Sequence, residues 1–520
     1  MLQIESFPQT IDAALARQAR IAPDGLAFAH ERERITFGEL HASAGRLAAT
    51  LRDLGIQRDD RVAIVLPSGL PFVRFFFAVQ RLGAVGCAIN ASAPAETVVR
   101  RGARIRPALI LVDDAMPDLR RAAEDAGLRC LFAGDVKPSS HALADAIGHP
   151  DDVAFLQLTS GTSGEPRAAM VLQRNVAAMQ AMTIETLQIT PDDVLVSWVP
   201  PWHDLGLVRF ILTPPFAGTA CHIVTPSIQS IPRWLATVAA ERGTITGAPD
   251  FAWRLAARLA NPDLDLSSLR FATNGGEPVR RSTIDSFEER FRLRNVIRPG
   301  YGLAEATLGV TFTRPGAEIR VDERGNVSCG TAPPGVEVRI ADGGEILVRG
   351  PIVFAGYFEA EDATRATLRD GWLHTGDTGY LDDAGRLYVL GRTRSMLKRG
   401  GAIVAPRELE EAAQAAGGVR IAAAVALPPS ETRSTESIVV VVEPEDASLA
   451  ASMTAAVAER IRKALGFAPE RVIAVKARSI PMTPNGKIRH DLLRAQLVEG
   501  MLAASGSIVF SSPSDRELAD

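Results

Sequence analysis

The sequence predicts an α/β fold: a large N-terminal domain of parallel-sheet subdomains with an antiparallel appendage, then a small mobile α+β C-terminal domain. Three observations carry this expectation. Apolar runs of strand length alternate with helical stretches through the first half, which is the pattern of crossover units in a mostly parallel sheet. Short alternating segments separated by glycine-rich turns fill Val327 to Val348. Beyond Gly391 the texture changes again, to a compact mixture of strands and helices. At 520 residues the chain also exceeds what one hydrophobic core usually fills.

Taken in order, Gly38 to Leu54 reads as a helix, Val62 to Leu66 as a strand, Leu70 to Leu82 as a helix and Ala84 to Ile89 as a second apolar strand. Leu109 to Val112, Cys130 to Phe132 and Phe155 to Leu158 extend the series. Further strands are expected at Val194 to Val199 and Ile245 to Gly247, with helices at Arg233 to Arg242 and Phe251 to Leu259. Val336 to Ile340 and Glu345 to Val348 belong to the antiparallel appendage. In the last part, Pro406 to Ala416 and Leu449 to Leu465 read as helices and Ala422 to Leu427 and Ile438 to Glu443 as strands. The charged segment Gly391 to Lys398 is placed as the hinge. The domains expected are therefore 1–393, 394–502 and a flexible tail at 503–520, rich in Ser and Asp.

Lys and Arg number 57 against 61 Asp and Glu, a formal charge of −4, so no broad nucleic-acid surface is expected. Four cysteines, Cys87, Cys130, Cys221 and Cys329, lie far apart without a CxxC pair, which fits a reduced compartment better than a disulfide scaffold or zinc knuckle. The longest apolar stretches, such as Phe75 to Val79, fall far short of the ~20 residues needed to cross a bilayer. No basic leader with an apolar core opens the chain. A cytoplasmic protein without stable membrane insertion is the expectation.

The apolar strand Phe155 to Leu158 runs into Thr159-Ser160-Gly161-Thr162-Ser163-Gly164-Glu165-Pro166-Arg167. Small hydroxyl residues interleaved with glycines let backbone N–H groups curl around phosphate oxygens, with hydroxyls adding donors and Arg167 adding charge. The spacing matches neither the GxxxxGK[ST] loop nor the GxGxxG turn. Five further strings follow in order: Trp202-His203-Asp204-Leu205-Gly206-Leu207, Asn274-Gly275-Gly276-Glu277-Pro278, Tyr301-Gly302-Leu303-Ala304-Glu305-Ala306-Thr307, Trp372-Leu373-His374-Thr375-Gly376-Asp377 and Pro484-Asn485-Gly486-Lys487. Together they resemble the acyl-adenylate-forming superfamily of AMP-binding enzymes, which includes fatty-acyl-AMP ligases and acyl-CoA synthetases. The resemblance spans nearly the whole chain.

It implies a ligase that joins a carboxylate to ATP, giving acyl-adenylate and pyrophosphate, then passes the acyl group to a thiol. A carboxylate oxygen attacks the α-phosphorus while charge grows on phosphoryl oxygens, so the protein needs to position and neutralise rather than supply a covalent nucleophile. By resemblance, Thr159, Ser160, Gly161, Thr162, Ser163 and Gly164 form the phosphate loop, with Arg167 beside the distal phosphates. Gly276, Glu277 and Pro278 would lie on the adenine side, Tyr301 would stack on adenine, and Asp377 and Arg392 would take the ribose. Glu305 would hold Mg²⁺, a hard cation suited to a carboxylate plus substrate phosphates. Thr307 would sit near the α-phosphate, and Lys487, on its tight turn, would bridge carboxylate and phosphate. His203 is open to three uses, neutral core donor, pocket gate or general base; the resemblance places it beside the acyl pocket, without proton chemistry.

The chain departs from the family in two places that matter. Relatives carry lysine and glycine after the phosphate-loop proline, where this chain has Arg167-Ala168-Ala169; arginine keeps the charge but in a planar fork. The hinge position falls on Arg394, compatible with rotation of the small domain between half-reactions. Trp202 to Leu207, Asn274 to Arg280, Tyr301 to Leu308 and Val327-Ser328-Cys329-Gly330 resemble fatty-acyl-AMP ligases, yet only twenty positions separate Thr307 from Val327, so the insertion common in that subgroup is absent or shortened. That insertion is associated with restricting activity toward coenzyme A. The function expected is activation of an apolar carboxylic acid, fatty or bulky, followed by transfer to coenzyme A; the alternative is delivery to an acyl carrier protein. The acyl pocket is expected near Trp198 to Leu207, Gly247 to Trp253 and Gly275 to Gly302, where Trp198, Trp202, Phe251 and Trp253 form either an apolar wall or ordinary core.

Overall fold

The computed structural model describes residues 7–145, 148–159, 166–393, 396–399, 402–428, 437–482 and 488–512. The described chain divides into two compact units, one comprising 1–375 with 380–389 and the other 376–379 with 390–520.

The larger unit is built on two mixed sheets and an antiparallel appendage. The first sheet has strand order Cys130–Phe132, Leu109–Val112, Arg61–Val65, Val85–Ala88, Val153–Thr159 and Arg167–Leu172. Its pairings are parallel except the last, a hairpin that sets Thr159 opposite Arg167. Val85–Ala88 and Leu109–Val112 are buried along their whole length, which is why they carry no polar side chain. Helices between them begin and end on local signals: Thr36 and Glu39 form a reciprocal capping box on Phe37–Asp53, and Gly83, at φ +75°, closes Leu70–Leu82 in the left-handed conformation that suits glycine.

The second sheet has eight strands in the order Gly309–Phe312, Ile297–Gly302, Phe271–Asn274, Ile245–Ala248, Val194–Ser197, Ala220–Ile223, Leu26–His30 and Glu33–Thr36. It is parallel through the middle and antiparallel at both ends. The pair at 26–36 enters from the distant N-terminal part of the chain. Trp198, Trp234 and Trp253 stack in the core on one side of this sheet, with ring centroids 5.6 and 4.8 Å apart. Trp198 and Trp253 are thus buried core, whereas Trp202 and Phe251 are only half-buried. The five-stranded appendage joins Glu337–Ile340, Glu345–Arg349, Leu368–Arg369, Trp372–Leu381 and Leu387–Arg392.

The smaller unit carries a four-stranded sheet in the order Val419–Leu427, Ser437–Pro444, Arg471–Val475 and Ile508–Ser512. Strand periodicity separates its faces: Ile438, Val440 and Val442 pack with helices Pro406–Gln414 and Ala450–Leu465, while Val439 and Val441 pack with Leu493 and Leu502. The strand at 508–512 corrects the expectation of a loose tail from 503. Its apolar Ile508-Val509-Phe510 is short and flanked by serines, so the composition of the stretch hid an edge strand. Among the described residues, no helix is long and apolar enough to cross a membrane.

Candidate active site

Four neighbouring strands of the eight-stranded sheet, Val194–Ser197, Ile245–Ala248, Phe271–Asn274 and Ile297–Gly302, run parallel, and the motif loops leave from their carboxyl ends. In open α/β sheets this edge is where ligands bind.

The tyrosine loop is the tightest of these. Gly302 has no room for a side chain, because a Cβ there would fall 1.7 Å from the Leu308 carbonyl oxygen. Ala304–Ala306 forms one 3₁₀ turn, and Thr307 follows at φ +64° and ψ −50°. The Leu308 N–H donates to the Ala306 oxygen at 2.6 Å, closing a γ-turn of the rare positive-φ kind. A β-branched residue is strained in this conformation, and such strain persists only where surroundings enforce it. Here Thr307 is buried and its hydroxyl donates to the Ile352 carbonyl at 2.7 Å.

Glu305 is half-buried beside this turn, and its Oε1 accepts the Tyr357 hydroxyl at 2.7 Å. Burial, then the Glu305 charge and this hydrogen bond, hold the Tyr357 phenol well above its ordinary pKa, so it remains a donor. The Arg167 guanidinium lies 5.4 Å from the centre of the Tyr357 ring. Backbone bonds from Met170 to Gly356, Ala355 to Met170 and Phe358 to Ala168 stitch strand Arg167–Leu172 to the segment that carries this tyrosine. Glu305, Tyr357 and Arg167 therefore form one connected chain. Among the described residues the Glu305 hydrogen bond uses Oε1 alone, so the donor chemistry of the carboxylate fits Mg²⁺ completed by phosphate oxygens and water.

The glycine loop after Phe271–Asn274 is held differently. Asp250 is fully buried, and its carboxylate accepts the Asn274 side-chain amide at 3.1 Å, the Arg280 N–H at 3.0 Å and the Thr283 hydroxyl at 3.0 Å. One carboxylate thus ties both ends of Gly275 to Val279. Gly275 has the Gly300 carbonyl oxygen 2.9 Å from where its Cβ would be, and Gly276 has φ +78°. Glu277 accepts the Phe251 N–H at 2.6 Å, at the amino end of helix Asp250–Leu259. Gly276 and Pro278 are exposed and Tyr301 is half-buried.

His203 faces this loop: its Cε1 lies 3.8 Å from where a Gly276 Cβ would stand. Its Nδ1 accepts the Leu205 N–H at 3.3 Å and lies 2.7 Å from Asp204 Oδ1. Buried Gln157 donates to the Trp202 carbonyl at 2.9 Å and so links this loop to the first sheet.

In the smaller unit Arg392 Nε lies 3.1 Å from Asp377 Oδ1, so these two expected ribose ligands form a pair. Thr159 ends its strand, with its hydroxyl 3.4 Å from the Arg167 carbonyl. Ser160, Gly161, Thr162, Ser163, Gly164, Arg394 and Lys487 lie outside the described residues. Tyr357 and Asp250 were not foreseen. Tyr357 stands in an apolar stretch with no motif around it, and Asp250 looks like an ordinary acid in a first helical turn.

The profile of the AMP-binding enzyme family matches residues 15–358. The chain belongs to that family. A Mycobacterium tuberculosis CoA ligase for a methyl-dioxo-octahydroindenyl propanoyl group is 31% identical, across 94% of this chain and 98% of its own length. The medium-chain fatty acid–acyl-carrier-protein ligase JamA of Moorena producens is 27% identical, across 90% of each chain. A structure from work on fatty acyl-adenylate ligases of E. coli and L. pneumophila superposes with a TM-score of 0.83 at 28% identity, covering 96% of this chain and 99% of that one. This AMP-binding family member is accordingly an ATP-using, acyl-adenylate-forming enzyme acting on a carboxylic acid.

Proposed function

We propose that the enzyme activates an apolar carboxylic acid, fatty or bulky, as its acyl-adenylate with release of pyrophosphate, and transfers the acyl group to coenzyme A. The observation that carries the choice of acceptor is the short connection from Phe312 to Thr331. These residues pair as an antiparallel bridge, and Val321 pairs with Val327, so the connection folds back on itself. A connection this short supports the reading that the insertion associated with restricting coenzyme A activity is absent or shortened. The reading is further supported by the CoA ligase relative, which acts on a bulky ring-bearing acid. Delivery to a carrier protein is the second reading, favoured by the JamA relative. A cytoplasmic setting fits four buried cysteines, none of them in a disulfide, of which Cys87 is pushed up to about 12 by burial.

In this reading Mg²⁺ supplies neutralisation of phosphate charge, held by Glu305. Tyr357 fixes the rotamer of Glu305, and Arg167, anchored over the Tyr357 ring, is aimed at the distal phosphates. The strained Thr307 turn presents its backbone toward the α-phosphate, Tyr301 and the Gly276–Pro278 loop take adenine, and Asp377 with Arg392 take the ribose. Pre-set dipoles and charges of this kind lower the barrier because they need no reorganisation as charge develops. His203, its imidazole oriented by Asp204, borders the acyl group. Lys487 bridges the reacting oxygens, and Arg394 is the hinge at a boundary placed at 393 and 394.

The deciding experiment is mass spectrometry of products from ATP, Mg²⁺ and a carboxylic-acid panel, with coenzyme A present or omitted. Acyl-CoA formed only with the thiol supports the proposal; acyl-adenylate accumulating in both arms transfers it to the carrier-protein reading. Lys487→Ala should lower acid-dependent pyrophosphate release by roughly 10²-fold or more with an unchanged melting temperature. An unaltered rate would remove Lys487 from the mechanism.

A further inference from the structure

The Trp202–Leu207 motif continues into a π-helical segment, Leu205–Ile211, in which the Leu212 N–H reaches back five residues to the Leu207 carbonyl at 2.9 Å. Such widened turns collect at functional sites because they re-aim side chains. Polar residues around the segment satisfy one another: Gln180 donates to the Val208 carbonyl at 2.6 Å and accepts the Thr213 hydroxyl at 2.9 Å. Arg209, in the middle of the segment, is the exception. It is only 2% exposed, and its Nε and Nη1 have no hydrogen-bond partner among the described residues. Its guanidinium lies 5.8 Å from the centre of the Phe312 ring. Burial pulls its pKa down to about 10, with no acidic group nearby to offset the loss of water.

A single aromatic face does not replace the water stripped from a guanidinium. Arg209 is therefore a cation waiting for an oxygen. Its position says where that oxygen comes from. Phe312, the ring beneath it, folds over Gly309, whose Cβ would fall 2.3 Å from the ring, and Gly309 is two residues past the Thr307 turn. Next to Arg209, the Phe210 ring lies 3.4 Å from where a Gly247 Cβ would be, against Thr273, whose buried hydroxyl is also unpartnered. The Arg209 guanidinium thus lies beside the ring that covers the tyrosine loop, while its chain neighbour Phe210 reaches the strand ends proposed to enclose the acyl group.

We infer that Arg209 is a specificity-determining residue that hydrogen-bonds a second oxygen, a carboxylate or ketone, on the otherwise apolar skeleton of the acid substrate. This rests on the proposed function and narrows its substrate class. Arginine's planar fork suits such an acceptor, and a site built around an unpaired donor discriminates strongly against an analogue lacking it.

The test uses the full chain with ATP, Mg²⁺ and matched acids ending in a methyl, a ketone or a carboxylate, each on a straight medium chain and on a fused bicyclic skeleton. Pyrophosphate release is measured for the wild type, Arg209→Met and Arg209→Lys. The wild type should favour an oxygen-bearing acid over its methyl counterpart by at least about tenfold in kcat/KM. Arg209→Met should collapse that ratio to about one, leave the methyl acid within about threefold of its original rate, and Arg209→Lys should recover part of the ratio. A wild-type preference for the methyl acid overturns the inference, as does an equal loss on all acids in Arg209→Met, which would mark a purely structural residue. Should Arg209→Met fail to fold, the wild-type ratio alone decides. Activation of methyl acids without preference for the oxygen sinks this inference only, whereas no release with any acid sinks the proposed function as well.

Discussion

The loop that carries Glu305 is fastened through Glu305 itself, whose carboxylate accepts the Tyr357 hydroxyl. The neighbouring loop that carries Gly276 is fastened by Asp250, a buried carboxylate borrowed from the start of another helix. Both leave adjacent parallel strands, and both include a glycine with no space for a side chain. The difference lies in whether the anchor is also part of the chemistry. In the tyrosine loop, positioning and the proposed metal ligation share one side chain. In the glycine loop Asp250 is spent wholly on architecture, and Gly276 and Pro278, the residues proposed to meet adenine, are left exposed.

Substitutions at the two anchors should separate these roles. The largest effect is expected from Glu305→Gln: the amide oxygen can still accept from Tyr357, so the fold is kept, but acid-dependent pyrophosphate release should fall roughly 10²-fold or more and require higher Mg²⁺. A melting temperature lowered as much as the rate would break the contrast. Asp250→Ala strands the Arg280 and Thr283 donors and should cost about 3 kcal/mol of stability, read from chemical denaturation, with a rise in KM for ATP larger than any fall in kcat. Unchanged stability would show that the glycine loop holds its own shape. Tyr357→Phe removes one charge-assisted hydrogen bond and should lower kcat about tenfold, near 1.4 kcal/mol, with KM for the acid unaffected. An equal change in KM for every substrate would point to general loosening of the site. The smallest effect is expected from Thr307→Ser, which keeps the hydroxyl bond to Ile352 and relieves crowding at positive φ; stability should change by less than about 0.5 kcal/mol and the rate by less than about threefold.

Much of this arrangement was legible before any coordinate. Leu70–Leu82 and Leu109–Val112 occur where periodicity placed them, and the glycine-rich strings fall on loops at strand ends. The roles proposed for Glu305, Tyr301 and Gly276 come only from their membership of an ordered motif set, since each alone is an unremarkable surface or packing residue. Tyr357 was not readable. It meets Glu305 across 52 positions because strand Arg167–Leu172 accepts the segment around Gly356 along its outer edge. Arg209 was passed over because a lone arginine in an apolar run gives no hint that it is buried without a partner. The hairpin at 26–36 was missed for a related reason: its strands are short, and their place in the eight-stranded sheet depends on a partner at Ala220–Ile223.

The sequence by itself determined most of the helices and strands of the larger unit, where the chain must turn, and the ordered motif set that marks the family. Those properties come from backbone periodicity, glycine conformation and side-chain type, all of which act within a few residues. Only the tertiary structure decided that Asp250 would anchor the glycine loop, that Tyr357 would share the Glu305 carboxylate, and that the Arg209 cation would be enclosed with no counterion among the described residues. Those outcomes depend on strand order across hundreds of residues, where the requirement to bury apolar surface while pairing each polar group is met by the whole fold at once.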